Sequence, residues 1–246
     1  MKVLITGCDG QLGNEIIKSK PNGISLISTN KENFDLKDLS KCRNFILNKK
    51  PDWIINCAAY TKVDKAESER NLAYMINALS VKNLAEAMKE INGNFIQIST
   101  DYVFNGKKNI PYQPNDIKSP INIYGETKSL AEDFLKEIFK NSGKGIIIRT
   151  SWLMGSTGQN FALKILKLLL EKKSINIIDD QIGSPTTTKT LAKACWSTIK
   201  TVSKGKKIPS ILHCTNSGKA SWYEIALEIN KIARNLGIIN YPITIN

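Results

Sequence analysis

Tyr124 and Lys128 have the residue types and the spacing of an acid–base pair. Residues four positions apart share one face of an α-helix, so a helix through this segment places the two side chains together. A tyrosine phenol has a pKa of about 10, so it exchanges a proton near neutral pH only when a neighbouring charge stabilises its anion. An ammonium group one turn away does this and can also bind a ribose hydroxyl. The pair therefore predicts proton transfer at an oxygen atom.

Thr100 supplies a third polar group for the same chemistry. It lies in the segment Ser99–Thr100–Asp101, at the end of an apolar run that is typical of a buried strand. In open α/β sheets, ligands bind outside the carboxyl ends of the strands. We therefore expect the Thr100 hydroxyl to bind the reacting oxygen beside Tyr124.

A glycine-rich loop follows the first predicted strand and opens the first predicted helix. In a dinucleotide-binding loop, the first glycine permits the sharp turn, the second lets the backbone approach the pyrophosphate, and the third lets helix and sheet pack closely. The pyrophosphate then lies at the positive end of the helix. The pattern predicts a dinucleotide site formed by Gly7, Gly10, Gln11, Leu12 and Gly13.

The residues after the second predicted strand bear on the choice of cofactor. An NAD-specific site usually has an acid about 20 residues after the glycine loop, where it binds the ribose hydroxyls. Here Asn30 and Lys31 occupy this position and would tolerate a 2′-phosphate, which favours NADPH, with NADH as the alternative. Glu32 could take the role of the acid and reverse this preference. Asp35 and Leu36 are predicted to flank the adenine.

Short β-branched runs alternate with amphipathic stretches along the chain, which predicts an α/β fold with a doubly wound, Rossmann-type parallel sheet. The predicted strands are Val3–Thr6, Ile24–Thr29, Trp53–Cys57, Asn94–Ser99, Ile146–Trp152, Ile175–Ile178 and Ile211–Cys214. The predicted helices are Gln11–Lys20, Leu36–Asn48, Asn71–Ile91, Ile123–Asn141, Phe161–Lys172, Thr188–Thr201 and Trp222–Leu236. We expect residues 1–148 to form the nucleotide-binding domain, 173–215 to complete its sheet, and 149–172 with 216–246 to form a small substrate lobe.

The composition narrows the class of function. The formal net charge is +13, but only four of the 35 basic residues are arginine and the lysines are spread along the whole chain. Nucleic-acid modules instead cluster basic residues with aromatic ones, so no nucleic-acid partner is predicted. No apolar run is long enough to span a membrane. Five scattered cysteines and no secretory leader predict a cytoplasmic protein.

Several longer motifs together resemble the dTDP-4-dehydrorhamnose reductase family, over nearly the whole chain. They are Asn56–Glu67, Ser99–Gly106, Tyr124–Lys128, Arg149–Trp152 and Asp180–Thr186. The resemblance implies reduction of the 4-keto group of a dTDP-linked 6-deoxy sugar with NADPH or NADH, in a monomer or homodimer. In that mechanism Tyr124 donates the proton, Lys128 holds and polarises Tyr124, lowers its pKa and binds the ribose, and Thr100 orients the carbonyl.

The resemblance also implies further contacts. It places Ala58, Ala59 and Tyr60 along the cofactor, and Val63, Asp101, Tyr102 and Trp152 towards the sugar. In the segment Gln159–Phe161, Asn160 is a candidate for binding the substrate phosphates, and a helix cap is the equally good alternative.

Other functions on this scaffold remain open. Sugar-nucleotide dehydratases resemble the pattern but carry an acid after the aspartate, where this chain has Tyr102, so reduction is favoured over dehydration. An epimerase with tightly held cofactor and a non-catalytic NADP-binding regulatory subunit are the alternatives.

Two departures from the family pattern stand out. Members of the family usually continue for some tens of residues beyond Asn246 with an Arg-Pro segment, so the resemblance implies a shortened substrate lobe. Some members also dimerise through magnesium held by glutamates. Glu15 matches the first of these, but Lys189 replaces the second, and a cation repels Mg²⁺, so no metal site is predicted.

Overall fold

The computed structural model describes residues 1–246. Its strands are β1 (Lys2–Thr6), β2 (Ser25–Thr29), β3 (Trp53–Asn56), β4 (Asn94–Thr100), β5 (Gly145–Thr150), β6 (Leu153–Met154), β7 (Ser174–Ile175), β8 (Ile182–Gly183), β9 (Thr186–Thr187), β10 (Ile211–His213), β11 (Ala220–Ser221) and β12 (Thr244–Ile245). Its α-helices are α1 (Gln11–Lys18), α2 (Leu39–Lys49), α3 (Val63–Ala66), α4 (Arg70–Tyr74), α5 (Ser80–Glu90), α6 (Ile123–Ile138), α7 (Phe161–Glu171), α8 (Thr188–Ser203) and α9 (Trp222–Asn235). A π-helical turn (Met75–Leu79) joins α4 to α5, and a 3₁₀ turn (Asp101–Val103) follows β4.

Six parallel strands form the main sheet in the order β2-β1-β3-β4-β5-β10. In this order β2 lies on one side of β1, and the strands from β3 onwards lie on the other side. This reversal opens a crevice outside the carboxyl ends of β1 and β3, which is where doubly wound folds bind ligands. The predicted α/β Rossmann-type fold is confirmed.

Helices cover both faces of the sheet because its strands are apolar on both sides. One face packs against α2, α5 and α6 through a cluster that includes Leu84, Met88 and Leu135, all fully buried. The other face packs against α1 and α8 through Ile16 and Leu191. Each large aliphatic side chain buried in this way contributes roughly 1.5–3 kcal/mol.

A buried polar chain crosses the sheet near its carboxyl edge. Thr6 Oγ1 donates to Asn56 Oδ1 at 2.5 Å, and Asn56 Nδ2 donates to Gln97 Oε1 at 2.8 Å. Each of these polar groups is paired, so their burial does not carry the cost of an unsatisfied group. The contacts tie β1, β3 and β4 together directly beneath the predicted site.

The small lobe has a hydrophobic core of its own, built from α7, α9 and the paired strands β7 and β12. Within the segment 173–215, β10 lies in the main sheet and α8 lies on its face, whereas β7 pairs with β12 outside the main sheet. The prediction of a strand over Ile175–Ile178 is corrected to the two-residue strand Ser174–Ile175 of the lobe. None of the helices is long and apolar enough to cross a bilayer.

Candidate active site

The loop between β1 and α1 has the shape that a dinucleotide requires. Gly7 has φ of +65°, and a Cβ atom on it would lie 2.9 Å from Ala58 Cα. A Cβ atom on Gly13 would lie 2.3 Å from Gly7 O, so only glycine permits this approach of helix to strand. No side chain caps α1 at Gly10. The first amide groups of this helix are therefore available for an anion.

The segment after β3 lies directly against the glycine loop. Ala58 N donates to Thr6 Oγ1 at 3.2 Å, which holds the segment against β1. The Tyr60 hydroxyl donates to Glu69 Oε2 at 2.6 Å, and this hydrogen bond raises the pKa of Tyr60 to about 12. Tyr60 therefore stays neutral, and its buried ring packs with Ala66, Ala73 and Ile123.

Asn77, in the π-helical turn, is a site residue that the sequence analysis missed. Its side chain accepts from Tyr60 N at 2.8 Å and donates to Tyr60 O at 3.0 Å. It also lies 3.1 Å from Thr127 Oγ1 on α6. A buried asparagine in an otherwise apolar helical stretch was the available signal. Asn77 joins the segment after β3 to the helix that carries Tyr124 and Lys128.

Helix α6 begins at a doubly capped end, which places Tyr124 in its first turn. Asn122 Oδ1 accepts from Gly125 N, and Glu67 Oε1 accepts from Ile123 N, both at 2.8 Å. Burial and the charge of Asp101 raise the pKa of Tyr124 above its ordinary value, while the Thr100 hydroxyl opposes them. Tyr124 therefore carries its proton at neutral pH. The implied lowering of its pKa by Lys128 is not found in the structure, where the Lys128 ammonium is bonded to Ile98 O.

Lys128 lies one turn further along α6 and is only 3% exposed. Its Nζ atom donates to Ile98 O at 2.6 Å, so its hydrogen bond goes to the backbone of β4 and not to the Tyr124 hydroxyl. Burial lowers the pKa of Lys128 to about 8, against the opposing charge of Glu132. The ammonium therefore still carries its proton at neutral pH and loses it as the pH rises through about 8.

The 3₁₀ turn after β4 brings three predicted residues to Tyr124. Thr100 Oγ1 donates to Asp101 Oδ1 at 2.9 Å and accepts from Tyr102 N at 3.2 Å. The Tyr102 ring lies edge-on to the Tyr124 ring, with 5.5 Å between centroids. Burial raises the pKa of Asp101 above its ordinary value. Thr100, Asp101, Tyr102 and Tyr124 therefore form one cluster at the sheet edge.

An ion pair beneath this cluster anchors α6 to the sheet. Arg149 on β5 donates to both carboxylate oxygens of Glu132, at 2.9 and 2.7 Å, and both side chains are buried. Ser99 Oγ donates to the same carboxylate at 2.6 Å. These partners hold the pKa of Glu132 below its usual value despite burial.

Trp152 lies beyond β5 in a strained conformation, with φ of +47°. Its indole stacks on Trp222 with 3.5 Å between ring centroids, and it packs against Gly183. Non-glycine residues rarely adopt this backbone region, and such strain is concentrated at functional sites. Trp152 thus marks the border between the sheet edge and the small lobe.

With this geometry established, comparison with known proteins identifies the family. The family model that matches residues 1–244 is described as the RmlD substrate binding domain. The chain belongs to this family. The predicted resemblance to dTDP-4-dehydrorhamnose reductases is thereby confirmed.

Relatives of this RmlD family member include a spore coat polysaccharide biosynthesis protein and a dTDP-4-dehydrorhamnose reductase. The spore coat polysaccharide biosynthesis protein SpsK of Bacillus subtilis is 42% identical over 229 residues, which cover 93% of this chain and 78% of the relative. The dTDP-4-dehydrorhamnose reductase of Escherichia coli K12 is 35% identical, with 100% of this chain and 82% of the relative covered.

Solved structures agree with the RmlD assignment. The dTDP-4-dehydrorhamnose reductase of Clostridium acetobutylicum superposes with a TM-score of 0.89 at 38% identity, covering 100% of this chain and 83% of that one. The Bacillus anthracis enzyme in complex with NADP gives 0.90 at 36% identity, covering 99% and 82%. The UDP-glucose 4-epimerase of Thermus thermophilus gives 0.83 at 16% identity and covers 100% and 86%, which shows a shared fold alone.

The remaining predicted residues of this RmlD domain occupy different surroundings. Asn160 caps α7 by accepting from Leu163 N, and its amide donates to Gln11 Oε1 at 2.8 Å. The Leu36 side chain is buried in the core, and Asp35 Oδ1 accepts from Lys37 N. Val63 begins α3 and is half-buried. Contacts of these residues with cofactor or substrate stay predictions.

The Gln11 side chain has a role that the glycine pattern did not predict. Its Oε1 atom accepts from Gly155 N at 2.9 Å, and its Nε2 atom donates to Gln159 O at 3.0 Å. These bonds join the start of α1 to the loop before α7. The cofactor loop and the substrate lobe are thereby connected through one amide side chain.

Proposed function

We propose that this protein is an NADPH-dependent reductase that converts the 4-keto group of a dTDP-4-keto-6-deoxy sugar to a hydroxyl. The product would be dTDP-L-rhamnose. The observation that carries the proposal is the cluster of Tyr124, Thr100 and Lys128 at the carboxyl edge of the sheet, beside a glycine loop, in an RmlD family member. Relatives over the whole chain are named dTDP-4-dehydrorhamnose reductases.

The glycine loop fits a nicotinamide dinucleotide. The close approaches at Gly7 and Gly13 and the uncapped start of α1 leave backbone amides for a pyrophosphate. The proposed cofactor residues are those of the loop (Gly7, Gly10, Gln11, Leu12 and Gly13), those after β3 (Ala58, Ala59 and Tyr60), those after β2 (Asn30, Asp35 and Leu36), and Tyr124 with Lys128. When bound, the nicotinamide supplies the hydride. A relative of this chain was solved in complex with NADP.

The residues of the chain supply the proton. Tyr124 is protonated at neutral pH because burial and Asp101 raise its pKa, so its phenol can donate to an oxygen that gains negative charge. The buried Lys128 ammonium then lies one turn from the phenolate and favours that anion. Thr100 orients the substrate oxygen once its hydroxyl turns away from Asp101. Val63, Asp101, Tyr102, Trp152 and Asn160 are the proposed substrate contacts.

Reduction is favoured over dehydration by the residue beside Asp101. Removal of water needs a second carboxylate at the sugar, but the next residue is Tyr102, whose ring packs edge-on against Tyr124. A regulatory, non-catalytic role is disfavoured because a scaffold has no need for Thr100, Tyr124 and the buried Lys128 together at the sheet edge.

The test is oxidation of NADPH on mixing the protein with the dTDP-4-keto sugar, for the native chain and for Tyr124→Phe. We expect Tyr124→Phe to reduce kcat by roughly 10²–10⁴-fold, the usual contribution of a general acid, with cofactor binding retained. The matched control is Tyr74→Phe, since the exposed Tyr74 hydroxyl makes no hydrogen bond in the structure. Absence of oxidation by the native protein, with cofactor bound, would reject the proposed reaction.

A further inference from the structure

Asp9, in the glycine loop, lies against the residue that follows β2. Its Oδ2 atom accepts from Asn30 Nδ2 at 2.8 Å, and its Oδ1 atom accepts from Cys8 Sγ at 3.3 Å. Asn30 comes directly after the last residue of β2. The carboxylate of the loop is therefore held at the carboxyl end of the second strand.

This end of β2 is where a Rossmann fold meets the adenosine ribose. An acid there accepts a hydrogen bond from the 2′-hydroxyl, whereas a basic residue accommodates a 2′-phosphate. In this chain the residue directly after the strand is Asn30. Its Oδ1 atom accepts from Glu32 N at 3.1 Å and Asn33 N at 3.3 Å. Asn30 is thus engaged with its own loop, and the carboxylate at this position comes from Asp9.

The charge of Asp9 is not neutralised by a neighbour. The side chain is exposed, and no lysine or arginine nitrogen lies within 4.0 Å of its oxygens. A phosphate monoester carries a charge of about −1.5 to −2 at pH 7, so a 2′-phosphate beside Asp9 is repelled. A 2′-hydroxyl instead can donate a hydrogen bond to the same carboxylate.

We propose that Asp9 sets the ratio of NADH to NADPH binding, acting as the ribose-recognising acid in place of a residue on β2. The proposal deepens the proposed function and rests on it in one respect, that the crevice holds a nicotinamide dinucleotide. Lys31, next to Asn30, acts in the opposite sense because its cation attracts the 2′-phosphate. The site therefore accepts both nucleotides, and Asp9 limits the advantage of NADPH.

The experiment measures dissociation constants of NADH and NADPH by calorimetry, without sugar substrate, for the native chain, Asp9→Asn and Glu32→Gln. Asp9→Asn keeps the size of the side chain and removes its charge. We expect it to shift the ratio of the two constants towards NADPH by about tenfold, the equivalent of 1.4 kcal/mol. The shift should shrink at high salt, since exposed charges are screened.

The outcomes separate the proposal from the proposed function. If Asp9→Asn leaves both dissociation constants unchanged, or changes both by the same factor, the ratio stays the same and the role of Asp9 is overturned. A shift produced by Glu32→Gln and not by Asp9→Asn assigns that role to Glu32 and also overturns the proposal. Failure of the native chain to bind either nucleotide would instead reject the proposed function.

Discussion

The Asn77 side chain joins the backbone of Tyr60 to Thr127 Oγ1, the latter at 3.1 Å, and so connects the segment after β3 to helix α6. Thr127 lies between Tyr124 and Lys128 on α6, so movement of the segment after β3 is transmitted to the proposed proton donor Tyr124 through this one amide. The π-helical turn makes the contact, which agrees with the frequent occurrence of such turns at functional sites.

Asn77→Ala should lower both stability and activity. It leaves two backbone groups of Tyr60 without their partner, at about 1–3 kcal/mol for each buried group. We expect kcat/KM to fall by roughly tenfold to hundredfold, because small misplacements of catalytic groups are costly. Urea unfolding and steady-state kinetics measure the two effects. Asn83→Ala is the control, since Asn83 Oδ1 has no hydrogen-bond partner. Equal effects of the two substitutions would refute the role of Asn77.

The pH profile should report the ionisation of Lys128. Because burial lowers its pKa to about 8, the ammonium is lost as the pH rises through that value. We expect kcat/KM, which reflects ionisations of the free enzyme, to decline above about pH 8. Lys128→Arg, whose charge persists at high pH, should have lower activity but no such decline. A native profile that stays flat to about pH 10 would contradict this assignment.

Protein stability offers an independent measure of the same pKa. Lys128 has a folded-state pKa below the unfolded value of about 10.4, so the unfolded chain holds more protons between the two values. The contribution of Lys128 to the free energy of unfolding therefore rises with pH from about 8 to about 10. We expect Lys128→Met to be more stable than the native chain at pH 7, and this advantage to shrink across that window. A stability advantage that does not change with pH would show that folding does not lower the pKa of Lys128.

The Glu132–Arg149 pair should show strong coupling in a double-mutant cycle. Removing one partner leaves a buried charge uncompensated, at about 3–5 kcal/mol. We expect Glu132→Gln and Arg149→Met each to lower the free energy of unfolding by this amount, and the double variant to lose clearly less than the sum. Since the pKa of Glu132 is lowered, the stabilisation is present above its unfolded value and is lost as the pH falls through the folded one. Additive losses would argue against a direct interaction.

The local patterns predicted the main strands and the helix that carries Tyr124 and Lys128 because their signals lie within a few neighbouring residues. The catalytic roles of these two residues stay a prediction. The β1 strand, the glycine loop and the start of α1 at Gln11 are contiguous in sequence. Tyr124 and Lys128 likewise needed only one helix, whose predicted start at Ile123 is confirmed.

Contacts between distant segments were beyond these patterns. Nothing near Gln11 in sequence indicates its hydrogen bonds to the loop before α7, since the partners are more than 140 residues away. The helix predicted over Asn71–Ile91 contains a π-helical turn, within which Asn77 bonds to the distant Tyr60. The strand predicted to reach Trp152 ends at Thr150, and Trp152 adopts a positive φ where it stacks on Trp222.

Gly183→Ala should weaken binding of the nucleotide sugar without changing binding of the cofactor. A methyl group on Gly183 would lie 2.5 Å from Cε2 of Trp152, so the indole must move. It can do so only by disturbing its stack on Trp222, because its backbone is already strained. We expect KM for the sugar to rise by roughly tenfold, corresponding to the loss of about 1.4 kcal/mol of binding free energy.

The matched control for this substitution is Ser184→Ala. Ser184 is the next residue, and its hydroxyl donates to Gly218 O without touching the indole. Calorimetry with NADPH should give the native dissociation constant for both variants, while kinetics should show the raised KM for Gly183→Ala alone. A native KM for Gly183→Ala, together with altered tryptophan fluorescence, would show that the indole moves without contacting the sugar. That result would remove Trp152 from the proposed substrate site while leaving Tyr124 and Lys128 in place.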